Sequence, residues 1–137
     1  MKFVSFATAT MAFVLPAFVQ SQQSITGDTK FDDPTLPLTD VKCSSLVSMG
    51  YTTLSSLPDF PFVGAGYVVT GWDSPECGAC WQFYYAASNE TINVVLVDSC
   101  PNGFVISEEA LDALTGGPVS GEIVITATQV DASVCGL

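Results

Sequence analysis

The segment Trp72-Asp73-Ser74-Pro75-Glu76-Cys77-Gly78-Ala79-Cys80-Trp81 constrains this chain more than any other. Cys77 and Cys80 are too close in sequence to join each other easily, so each reaches a distant partner and pins a separate part of the chain to one point. Five cysteines are present: Cys43, Cys77, Cys80, Cys100 and Cys135. An odd number gives at most two bonds and one leftover thiol, and the spacing alone leaves the pairing open. Zinc is disfavoured, because the chain has no His and the other three cysteines are singletons. A thioredoxin-like role is disfavoured too, since Cys77 and Cys80 do not open an amphipathic helix after a strand. Neither a metal nor a cofactor is implied.

Disulfides need an oxidising compartment, and the start of the chain supplies the route to one. Met1 to Ser21 reads as a secretory signal: Lys2 is the charge, Phe3 to Val19 the apolar run, and Val19-Gln20-Ser21 the cleavage site. The run is short, is broken by Pro16 and has no basic flank after it, so it is not read as a membrane span. The expected mature domain is one unit from Gln22 to Leu137.

With Lys2 in the leader, two basic residues, Lys30 and Lys42, stand against 14 acidic ones, a net charge of about −12. Nucleic acid is therefore excluded as a partner, and so is clamping of an anionic substrate. Neutral ligands fit better. Trp72 beside Asp73 suits carbohydrate, because an aromatic ring covers sugar CH faces and a carboxylate accepts from hydroxyls. Trp81 is read as core.

Ser24 to Thr39 carries prolines and polar residues without periodicity and reads as an extended arm. Cys43 to Tyr51 forms a short helix closed by Gly50, and Leu54 to Leu57 a second short turn. Tyr67–Thr70, Trp81–Ala87, Thr91–Asp98 and Glu122–Val130 have strand composition and length, and Ser88-Asn89-Glu90 turns the hairpin between the middle two. One helix is marked by Ser107 as cap, Glu108 and Glu109 in the first turn, an apolar stripe of Ala110, Leu111 and Leu114, and a stop at Gly116-Gly117-Pro118. The fold class is mainly β, and a small closed barrel removes the exposed edges. Asn89-Glu90-Thr91 is an N-glycosylation sequon on the expected hairpin tip.

Without His, acid–base chemistry falls to carboxylates, and a glycosidase of the two-carboxylate kind is the one hydrolase class left standing. Asp98 is the leading acid, at the end of the apolar run Val94-Val95-Leu96-Val97 and the start of the loop Ser99-Cys100-Pro101-Asn102-Gly103. It serves equally as a carboxylate that caps that loop through backbone N–H groups. No second acid is singled out among Asp32, Asp59 and Asp73.

These residues resemble the cerato-platanin family of small secreted fungal proteins. The likeness is carried by Lys30-Phe31-Asp32-Asp33-Pro34, Gly50-Tyr51-Thr52-Thr53, Gly71-Trp72 with Ser74-Pro75, Cys77-Gly78 with Cys80-Trp81, Ile92-Asn93-Val94, Ala113-Leu114-Thr115-Gly116-Gly117, Ala127-Thr128-Gln129-Val130-Asp131 and Ser133-Val134-Cys135-Gly136-Leu137. It implies a six-stranded double-ψ β-barrel stapled by Cys43–Cys77 and Cys80–Cys135, which leaves Cys100 as the free thiol. It also implies binding of chitin-type or other wall polysaccharide, expansin-like loosening without hydrolysis, and elicitor effects through a host plant receptor. On this resemblance Asp98 is the groove acid, with Tyr51, Thr52, Trp72, Ser74 and Phe104 near the groove. The segment from Cys43 to Gly50 is shorter than the family pattern, Val105 replaces an Asn, and Gly27 replaces a Tyr. A rival reading is a surface-active, self-assembling coat protein, which the 48% hydrophobic composition favours. The expected state is a monomer or a dimer linked through Cys100.

Overall fold

A computed structural model describes residues 20–137. Most of the leader therefore lies outside the described residues. Its expected last residue, Ser21, opens the first strand opposite Ala127.

Six strands close a barrel: β1 (Ser21–Gly27), β2 (Val63–Gly66), β3 (Cys80–Tyr85), β4 (Glu90–Ser99), β5 (Phe104–Ile106) and β6 (Ile123–Val130). The order around it is β1-β5-β2-β4-β3-β6, returning to β1. Four of its pairings are antiparallel, and β1–β5 and β2–β4 are parallel. Closure leaves no free edge, as the composition led one to expect. The β3–β4 hairpin turns at Asn89, which sits at φ 57°, a backbone region that Asn tolerates better than most side chains.

Three strands fall where the sequence reading had none. The expected strand Tyr67–Thr70 is a turn, and the strand lies before it in Val63-Gly64-Ala65-Gly66, all buried. Tertiary space overrides β-propensity here. A Cβ on Gly66 would stand 2.7 Å from Leu96 and 3.0 Å from the Phe104 ring, so only a strand without bulk fits between them. β5 is a three-residue strand in what read as loop, held by β1 on one side and β2 on the other. The arm from Ser24 likewise enters the barrel as β1 before leaving it as a 3-10 turn at Thr29–Asp32.

The barrel is filled by Ile25, Phe83, Leu96, Phe104 and Ile106 among others. Phe104 is the hub of an aromatic cluster, 4.7 Å from Phe83, 5.1 Å from Trp81 and 5.7 Å from Tyr67 between ring centres. Helix α1 (Glu108–Thr115) lays Ala110, Leu111 and Leu114 on the barrel. Ser107 accepts from the Ala110 N–H as the cap, and Gly116 ends the helix in the left-handed conformation. Asp32 joins the cap from across the chain, accepting from the N–H groups of Glu108 at 2.9 Å and Glu109 at 3.0 Å. A carboxylate there meets the positive end of the helix.

Cys43 is joined to Cys77 and Cys80 to Cys135, with Cα separations of 5.4 and 5.7 Å. They close loops of 34 and 55 residues. On the loop-entropy view each restricts the unfolded chain by about 4 kcal/mol. The first bond fixes the Trp72 segment to the short 3-10 turn Ser44–Met49, and the second fixes β3 to the C-terminal 3-10 turn Ala132–Cys135.

Candidate functional site

Asp98 ends the buried run of β4, and a bulge decides where it points. Gly64 pairs with Leu96 and Ala65 with Asp98, so Val97 is the extra residue and the register slips by one. Such a bulge re-aims the side chain that follows it. Asp98 Oδ1 accepts from the backbone N–H of Lys42 at 3.0 Å and of Ser99 at 2.9 Å. Its Oδ2 accepts from Lys30 Nζ at 3.0 Å. The carboxylate is thus held by both basic segments of the described chain, and one lone pair on Oδ2 is left for a further donor.

Tyr67 opens the loop after β2, the strand that pairs with the end of β4. It follows Gly66, which pairs with Ser99, and its N–H donates to the Gly103 carbonyl at 3.0 Å. The ring is 39% exposed. The turn Gly71–Ser74, closed by the Ser74 N–H on the Gly71 carbonyl at 3.1 Å, carries Trp72 at its tip with 63% of its surface exposed. Ser74 itself is buried and accepts from the Glu76 N–H, so it builds the turn.

Phe104 is the largest departure from expectation. At 1% exposure it belongs to the core and offers no face to a ligand; Tyr67, packed edge-on against it, is the ring that surfaces there. The sequence reading placed Tyr67 in a strand and missed this role. Tyr51 is half-buried against the core, and Thr52 is exposed, with its carbonyl accepting from Leu38 and its N–H bonded to Ser56. Both sit on the strap after Ser44–Met49, apart from the Tyr67–Trp72 loop in the hydrogen-bond network.

Cys100 is half-buried and its Sγ–H donates to the Gly103 carbonyl at 3.2 Å. Burial first, and the Asp98 charge second, push its thiol up from the usual value. Asn89 is exposed at the hairpin tip, its Oδ1 accepting from the Tyr84 hydroxyl at 3.0 Å.

A concavity of about 250 Å³ lies elsewhere, open to solvent and lined by Asp59, Phe62, Thr91, Ile92, Asn93 and Val134. Burial pushes the Asp59 carboxyl up to about 7. Sequence reasoning left Asp59 among several loop acids, and nothing local marks it.

The family model for cerato-platanin matches residues 23–137. The chain belongs to the cerato-platanin family. It is 36% identical over 141 residues to the heat-stable 19 kDa antigen of Coccidioides posadasii, covering 98% of this chain and 90% of that one. It is similar in structure to cerato-platanin 3 from M. perniciosa, with a TM-score of 0.81 and 36% identity over 85% of this chain and all of that one. The solution structure of the fungal elicitor cerato-platanin matches with a TM-score of 0.74 and 34% identity, over 82% of this chain and 95% of that one. In this cerato-platanin the family match takes in both disulfides, Asp98, Tyr67 and Trp72, and all of the barrel but the first two residues of β1.

Proposed function

We propose that this cerato-platanin is a secreted protein that binds neutral cell-wall polysaccharide, of the chitin or β-glucan kind, and loosens it without cutting it. The observation that carries the reading is the exposure of two rings, Tyr67 and Trp72, on the loop that follows β2, with Asp98 at the end of the neighbouring β4 held by three donors. Rings of this kind stack on sugar CH faces, and the remaining Oδ2 lone pair accepts a hydroxyl. A two-carboxylate glycosidase needs a second acid opposite the first. The groups found on Asp98 are instead a lysine ammonium and two backbone amides, which supports binding over hydrolysis. The leader and the two disulfides support export to the cell wall. The similar fungal elicitor supports recognition by a host plant receptor as a further role.

The coat-protein reading draws on exposed apolar side chains, Val47 and Met49 on one 3-10 turn, Tyr84 and Val124 on the paired strands β3 and β6, and Val134 in the C-terminal turn, and it draws less support because these are spread over four elements. Pull-down on insoluble chitin, cellulose and β-glucan tests the proposal. The wild type should pellet with at least one of them, and Trp72→Ala and Tyr67→Ala should remain in the supernatant. Failure of the wild type on all three, or release of reducing sugar, would sink it.

A further inference from the structure

We propose that Asn89 carries an N-linked glycan, and that the ring of Tyr84, with Val124 beside it, is the platform on which the first sugars of that glycan lie. The inference takes export from the reading above and nothing from polysaccharide binding.

The chain has three asparagines, Asn89, Asn93 and Asn102, and of these Asn89 alone heads an acceptor sequence, Asn89-Glu90-Thr91. The fold adds what such a triplet does not carry by itself, an accessible position and an aromatic partner. Asn89 sits at the tip of the β3–β4 hairpin, with its N–H donating to the Tyr85 carbonyl at 2.9 Å. Asn89, Glu90 and Thr91 are all exposed. Ser88 anchors the turn on α1 by donating from its hydroxyl to the Leu114 carbonyl at 2.5 Å, so the residue before the acceptor, and not the acceptor, ties the hairpin down.

Tyr84 stands five residues before Asn89 in the chain but is bonded to it directly, its hydroxyl donating to Asn89 Oδ1 at 3.0 Å. That bond holds the amide beside the ring. Nδ2, the atom that takes the sugar, makes no hydrogen bond among the described residues. Tyr84 pairs with Thr91 on one side and with Thr126 on the other, so the ring and the sequon threonine share the outer face of the barrel. Val124, two residues before Thr126, is on that face as well, diagonal to Tyr84 and towards the hairpin tip. Tyr84 is 36% exposed and Val124 60%. A ring and an aliphatic side chain set side by side receive the CH face of a pyranose, and a sugar on Nδ2 starts one amide group away from that ring. Glycans are bulky and solubilising, so this one covers an apolar pair that the fold leaves bare.

The co-reactant is a polyprenyl-pyrophosphate oligosaccharide of the export route. Asn89 Nδ2 bonds to C1 of its reducing-end N-acetylglucosamine, the bond from C1 to the pyrophosphate oxygen breaks, the lipid pyrophosphate leaves with the bonding pair, and one amide proton passes to solvent. Asn89 precedes Asp98 by nine residues, about 30 Å along β4 at the usual strand rise, so the glycan leaves the Asp98 end clear.

The full chain, secreted by a fungal host, is weighed intact before and after treatment with peptide N-glycosidase. The wild type should lose the mass of one glycan, with deamidation at Asn89 in its peptide map. Thr91→Ser should keep the glycan, whereas Asn89→Gln and Thr91→Ala should each lack it. Thr91→Ala decides the matter if Asn89→Gln, at a position with φ 57°, does not fold. Proton NMR of the glycoprotein reads the platform: signals of the first sugar should be moved upfield by the ring in the wild type and in Tyr84→Phe, and should return to their positions in a free glycopeptide in Tyr84→Ala. Exported protein with the mass of the bare polypeptide overturns the glycan, and a chain retained in the cell overturns it together with export. Sugar signals that Tyr84→Ala does not move overturn the platform.

Discussion

Lys30 and Asp98, 68 residues apart in sequence, meet at 3.0 Å between Nζ and Oδ2. The contact ties the turn after β1 to the end of β4, yet the lysine side chain is 40% exposed, and exposed ion pairs add little stability. Lys30→Gln should therefore cost less than about 1 kcal/mol. Asp98→Ala also strands the N–H groups of Lys42 and Ser99 and should cost more, about 1–2 kcal/mol. Urea unfolding of the two variants compares them directly, and equal losses would mean that the backbone bonds to Asp98 do not matter.

Trp72 and Phe104 should separate binding from folding. Trp72→Ala removes an exposed ring from a turn tip and should leave the unfolding midpoint near that of the wild type while lowering polysaccharide retention. Phe104→Ala opens a hole at the centre of the aromatic cluster and should destabilise by about 3–5 kcal/mol. Thermal melts beside the pull-down check both, and a Phe104→Ala protein of unchanged stability that has lost binding would return Phe104 to the site.

Asp59 gives stability an unusual pH dependence. The folded protein keeps its proton up to about 7, whereas the unfolded chain releases it near 3.8, so between these values the folded state binds more protons. Stability from this group is therefore fully present below about pH 4 and is lost progressively as pH rises to about 7. Asp59→Asn should abolish that loss. Denaturant midpoints for wild type and variant, measured at several pH values, should converge at low pH, separate between about 4 and 7 and keep a constant gap above 7 with the variant the more stable; curves parallel throughout would exclude a raised carboxyl.

Cys100 should be a slow thiol. Burial and the Asp98 charge both disfavour the thiolate, and the thiolate is the reactive form. Freshly secreted protein should run as a monomer without reductant, and maleimide labelling of the native protein should be slow and should speed up in Asp98→Asn. A disulfide-linked dimer abolished by Cys100→Ser would contradict this.

Local pattern was enough for part of this protein. The strands β3, β4 and β6 announce themselves by runs of Val, Ile, Thr and aromatics, and α1 by its cap, its acidic first turn and its Gly stop, because half-buried faces and helix ends impose their chemistry on neighbouring residues. Asp98 was legible for the same reason, as the first charge after an apolar run, and Trp72 as a large ring in a turn. Only the tertiary structure decided the rest. β2 is a strand because β4 and β5 flank it, with Leu96 and Phe104 leaving no room for a side chain at Gly66, and β5 is one because β1 and β2 flank it. The same closure drew Phe104 into the core and left Tyr67 at the surface. Asp32 became a helix cap and Asp59 a half-buried acid through partners or walls that lie far along the chain. Burial and long-range pairing depend on which segments the closed barrel brings together, and composition and periodicity carry no record of that.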